Sequence, residues 1–194
     1  MLQDGVDTER PSISDLIKET AFLGTEFLTW LWWRAEEKGG LFKVQGVGDV
    51  SVQFVRLISL ERGAEEGKEL VTCSGHGTQM KEAKLGLSLG KKVAKATVVV
   101  DKGDIAWEAT IIGKSLDIQG LKVIKGLDTE TVEEEGEHGE MGLLFFKLTL
   151  IKEFMHIIHE IYLDFAGKRI NESMWLNEKR GLSRWITGIG QGPL

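Results

Sequence analysis

Glu153, His156, His159 and Glu160 form the one group in this sequence with the look of a metal site. Spacings of three and four bring Glu153, His156 and either His159 or Glu160 to one side of a helix. Glu153-x-x-His156 also fits the carboxylate–histidine unit that two-helix metal sites use in pairs. A second unit is missing, because His76 and His138 fall in segments without ligand spacing, so a solvated helix edge is the plainer account. Cys73-Ser74-Gly75-His76 invites a thiol–base reading. That chemistry needs the base within hydrogen-bond reach and a third group to orient it. Neighbours at the end of a strand rarely reach that geometry, and Cys73 reads as structural. Gly86 and Gly90 lack the glycine spacing and the lysine–hydroxyl pair of a phosphate loop. The run Glu133–Glu137 lacks the alternating ligands, sharp glycine turn and terminal Glu of a calcium loop. With no catalytic or metal constellation standing, the sequence predicts a non-catalytic protein without a cofactor.

The cations say more. Lys81, Lys84, Lys91, Lys92, Lys95 and Lys102 stand against only Glu82 and Asp101, and Lys168, Arg169, Lys179, Arg180 and Arg184 against Glu172 and Glu178. Such side chains neutralise phosphates without reading base sequence. The expected DNA contacts are Lys81, Lys84, Lys91, Lys92, Lys95, Lys179, Arg180 and Arg184, with a plain solvated surface as the alternative. Trp30, Trp32 and Trp33 are expected at an interface. Aromatic side chains can stack on single-stranded bases, although on an amphipathic helix Trp30 and Trp33 are more often core, leaving Trp32 to face a partner.

At 194 residues, 42% hydrophobic and 28% charged, the chain suits one domain. A chain of this length buries roughly 70% of the surface it exposes when unfolded and needs no staple. Its single cysteine excludes an internal disulfide. Met1 to Arg10 has no secretory pattern. The most apolar stretch, Met141 to Phe165, is broken by Lys147, Lys152, Glu153, Glu160 and Asp164, where a span needs about 20 mostly apolar residues. A cytoplasmic protein without a membrane partner is expected. Asp128 to Glu140 holds seven acids and no Lys or Arg; without those seven the formal charge of −6 becomes +1. The acidity is one local run.

These residues must be positioned by periodic elements. Residues 1–13 read as a flexible leader. The start Pro11, Ser12 and Ser14, with Leu16, Leu23, Phe27, Trp30 and Leu31 at helical spacing, predicts a helix over 14–37 that Gly39-Gly40 ends. Gly24 weakens its middle by about 1 kcal/mol relative to Ala and marks close packing or a break. Val50, Val52, Phe54, Ile58 and Leu60 alternate with polar residues as in a strand, with Arg56 the exception. A polar turn over 61–68 and a strand over 69–73 complete a hairpin. A loop and short helix follow over 76–90, then a second hairpin of 93–100 and 105–112 around Asp101–Asp104. A further extended piece covers 115–122. After an acidic linker over 127–140, Leu144, Leu148, Ile151, Met155, Ile158, Tyr162 and Phe165 step along one face of a helix reaching about Lys168. A last helix covers 172–186, and 189–194 is a tail. The order predicts an α+β fold: an antiparallel sheet of about four to five strands from two hairpins, one face covered by the N-terminal and C-terminal helices, in a single domain over 14–188.

Phe22-Leu23-Gly24-Thr25-Glu26-Phe27-Leu28-Thr29-Trp30-Leu31-Trp32-Trp33-Arg34 resembles the aromatic helix of divergent RdgC-type recombination-associated DNA-binding proteins. Leu116–Lys122 is similar to that group's "L-x-[IVL]-x-G-[LA]-K" segment, and Leu182-Ser183-Arg184-Trp185-Ile186 to its terminal "I-R-x-W-[IL]". The likeness extends over most of residues 20–187 and points to the C-terminal part of the family, in a short form without the N-terminal region of longer members. It implies sequence-independent DNA binding, a ring-like dimer around the duplex, restraint of the recombinase and a place on the nucleoid. The leading expectation is therefore a DNA-binding protein that modulates recombination, as a homo-oligomer or with another protein. The alternative is an assembly or regulatory subunit whose Trp-rich and C-terminal helices dock on a protein partner.

Overall fold

The computed structural model describes residues 13–64, 67–74, 78–126 and 137–188. The leader up to residue 12, the linker segment 127–136, the tail 189–194 and His76 lie outside the described residues. In chain order the elements are α1 (Ile13–Glu37), β1 (Leu41–Val44), β2 (Gly48–Ala64), β3 (Gly67–Ser74), α2 (Thr78–Ser88), β4 (Lys92–Asp101), β5 (Ala106–Ile112), β6 (Ile118–Lys125), α3 (Glu137–Ile170) and α4 (Glu172–Thr187).

All strand pairs are antiparallel, in the order β1-β2-β4-β5-β6, and β3 pairs with β2. The fold is the α+β class that the element order predicts, with six strands where about four to five were expected. Two causes account for the difference. Leu41–Val44 is too short for its alternation to stand out beside Gly39-Gly40, and it pairs Phe42 with Val50. The expected turn over 61–68 is mostly strand, because Glu61↔Leu70 through Ala64↔Gly67 continue the β2–β3 ladder. The segment's polar and glycine-rich sequence gives no alternation to read.

One face of the sheet is apolar. Val52, Val100 and Trp107 form one cross-strand row, and Ile58, Ala96 and Ile111 another; all six are fully or almost fully buried. α1 packs over β4 and β2, and α2 over β3 and β2. Trp107 meets Phe154 of α3. Phe27 and Trp30 of α1 pack against Phe165. Gly24 marks close packing, as its helix-weakening position implies: a Cβ there would lie 1.7 Å from the Gly113 carbonyl oxygen. Gly39 and Gly40 end α1 with φ of 62° and 86°, values that glycine adopts without strain. α4 opens on Asn171, whose side chain accepts from the Met174 backbone N–H, a standard N-cap.

The other face carries Gln53, Lys95, Thr97, Val99, Glu108 and Thr110, and no described helix covers it. Arg56 breaks the alternation because it sits in a β2 bulge at φ 58°, and its guanidinium reaches Glu108 at 3.3 Å. Lys122 approaches the same carboxylate at 2.7 Å. Among the described residues no helix is long and apolar enough to cross a membrane.

Candidate functional site

The three tryptophans expected at an interface belong to the core. Trp30, Trp32 and Trp33 are at most 3% exposed, so none can stack on a base or meet a partner. Each is fixed by polar partners instead. Glu178 of α4 accepts from the Trp30 indole N–H at 2.6 Å and from Arg34 at 2.6 and 3.1 Å. Glu36 accepts from the indole N–H groups of Trp32 and Trp185 at 3.1 and 2.9 Å and pairs with Lys84. Arg34 lies 4.5 Å over the Trp33 ring, and a Cβ on Gly181 would strike that ring at 2.4 Å. Glu26 binds Arg169 at 2.8 Å. The aromatic helix motif and the closing Trp185 thus account for how α1, α3 and α4 fit together. They mark architecture.

The expected DNA contacts do not converge. Lys91 is 8% exposed, which removes it from any phosphate surface. Lys92 lies 3.9 Å from Glu26 beside Arg169. Lys95 pairs across the sheet with Ser59 and Ile112 and stands on the face away from the helices. Lys84 is taken up by Glu36 and the Trp32 and Trp185 rings. Lys81, Lys179, Arg180 and Arg184 remain exposed, on α2 and α4, two helices in mutual contact.

The titratable clusters are equally plain. Among the described residues no group of three or more His, Cys, Asp or Glu side chains can hold a metal. Glu153 pairs with Lys102, and His156 lies 3.9 Å from Glu160 with its ring half exposed. The Cys73 thiol is pushed above its ordinary range by burial, then by Glu82, with Lys91 opposing. A thiol held protonated is a weak nucleophile.

The unexpected feature is α3. From its C-terminal half Phe154, Ile157, Ile161 and Phe165 enter the core. The stripe read from the sequence lies on a neighbouring side. Its Ile158, Tyr162 and Phe165 do reach the core, but Leu144, Leu148, Ile151 and Met155 do not. Together with Met141, Phe145 and Phe146 they are 41–62% exposed. From Met141 to Thr149 every residue except Leu143 is exposed. The signal was present in the sequence as a helix apolar on all sides around Leu143-Leu144-Phe145-Phe146, which one stripe cannot use up.

The fold and this surface define a class: an antiparallel α+β domain with helices on one sheet face and an apolar helix presented to its surroundings. No protein-family model matches the chain, and a search of curated proteins finds no match.

Proposed function

We propose that this chain is a non-catalytic assembly subunit that docks on a protein partner through the exposed side of α3. One observation carries the reading. Met141, Leu144, Leu148, Ile151 and Met155 continue, by steps of three and four, the seam that Ile158, Tyr162 and Phe165 bury, yet they are open to solvent. A helix apolar on all sides is ordinarily buried. With Phe145 the open side offers on the order of 600 Å² of largely apolar surface, most of one partner's share of a standard interface and at the upper end of what a monomer exposes. The test is fluorescence of a hydrophobic dye with the wild type and with Leu144→Asp/Leu148→Asp. Bright wild type and a dim variant of unchanged unfolding midpoint are expected; equal brightness refutes the reading.

The RdgC-like, sequence-independent DNA-binding reading stands second, supported by the motif resemblance and by Lys179, Arg180 and Arg184 exposed within two turns of α4. Its test is anisotropy of labelled single- and double-stranded DNA as salt rises from about 50 to 200 mM, where phosphate contacts weaken steeply. Reversing those three charges abolishes binding if they carry it, and unchanged binding removes them.

A further inference from the structure

We infer that the occupant of this surface is an acidic amphipathic helix of another protein, seated between β6 and α3; the inference rests on the docking reading above and names the partner's chemistry. Two adjoining clefts of about 300 and 410 Å³ run between β6 and α3, sharing Leu121 and Ile151. Trp107 and Val123 line the first, with Lys122 and Lys147 beside them. Leu116, Ile118 and Met155 line the second, together with Asp117. The floor is apolar and continuous with the exposed seam of α3, as a helix-in-groove mode requires.

Charge decides between occupants. Lys147 and Lys152 are exposed on the same stretch of α3, and neither has an ion pair among the described residues. In a two-fold antiparallel pairing of α3 with a second copy, centred on Leu148, Lys147 meets Thr149 and Lys152 meets Leu144. The nearest described carboxylate on that stretch, Glu153, is held by Lys102. A second copy therefore brings apolar contact but leaves both cations without a counter-charge. A helix with carboxylates flanking its apolar face supplies both, and complementary charge adds steering and register to the apolar contact.

The probe is a pair of fluorescein-labelled helical peptides with the same leucine face, one flanked by glutamates and one by lysines, titrated with the full chain. The glutamate peptide is expected to bind at least tenfold tighter. That preference should vanish in Lys147→Glu/Lys152→Glu and survive in Lys147→Arg/Lys152→Arg. Equal binding of the two peptides, or a preference unmoved by the charge reversal, overturns the inference while a bright dye signal still upholds docking. Preferential binding of phosphatidylglycerol vesicles over the glutamate peptide also overturns it, since a cationic apolar helix then serves a lipid surface.

Discussion

Glu178 is buried, and it holds an indole and a guanidinium from α1 at once. Replacing it with alanine strands two donors, and a buried donor left without a partner costs about 1–3 kcal/mol. Glu178→Ala is expected to lose about 2 kcal/mol in urea unfolding, and Glu178→Gln less, because the amide oxygen still accepts. A loss under about 0.5 kcal/mol for the alanine variant, the range of an inert surface change, removes the α1–α4 link from the account. Gly24→Ala sets two effects against each other. Helix propensity favours Ala by about 1 kcal/mol, but the new Cβ would meet a carbonyl oxygen at 1.7 Å, and forced backbone shifts cost typically about 1–3 kcal/mol. A net loss of stability is expected, and a gain refutes the close packing of α1 on Gly113. For Cys73 the folded thiol titrates above its ordinary value. Stability from the protonated thiol is therefore complete below the unfolded pKa and is lost as pH rises through the folded one. The wild-type urea midpoint should fall more between pH 8 and pH 10 than that of Cys73→Ser; parallel curves contradict the assignment.

Within α3, Phe154 and Leu148 lie six residues apart and play opposite parts. Phe154 is fully buried against Trp107, and Phe→Ala in a core costs about 3–5 kcal/mol. Leu148 is half exposed, so Leu148→Asp should shift folding stability by no more than about 0.5 kcal/mol, as a surface change does. Similar losses in the two variants, measured by denaturant unfolding, refute the two-sided description of the helix. Periodicity and end signals made most elements legible: α1, the β4–β5 hairpin and α4 emerge near their expected bounds, which Gly39-Gly40, the Asp101–Asp104 turn and Asn171 mark. β1 escaped because four residues are too few to show a period. The tip of the β2–β3 hairpin escaped because Glu61-Arg62-Gly63-Ala64 and Gly67-Lys68-Glu69 carry no apolar alternation to read. On α3 the sequence pattern was real, but a step of three or four recurs on two sides of an all-apolar helix. The stripe through Leu144 and Leu148 stays open, while Phe154, Ile157 and Ile161 on a neighbouring side fill the core. The site was less legible than the fold. The tryptophans stood out by type, and their partners Glu36 and Glu178 come from distant parts of the chain, so only folding reveals that they are satisfied and enclosed.

At the scale of the molecule, ion pairing explains why a basic inventory did not become a basic surface. Lys84, Lys92, Lys102, Lys114, Lys122, Lys168 and Arg169 each face a carboxylate, on both sides of the sheet. What stays open as a coherent patch is the apolar side of α3, flanked by Lys147 and Lys152. Salt does not separate the two functional readings, because docking of an acidic helix beside Lys147 and Lys152 is screened as phosphate contacts are. The apolar seam does separate them, since docking needs Leu144 and Leu148 and phosphate binding does not. Anisotropy of the fluorescein-labelled glutamate-flanked leucine peptide, titrated with the wild type and with Leu144→Ser/Leu148→Ser, therefore tests the docking claim most directly. The account predicts saturable binding by the wild type and a loss of at least tenfold in the variant. Equal binding by the two proteins would contradict it.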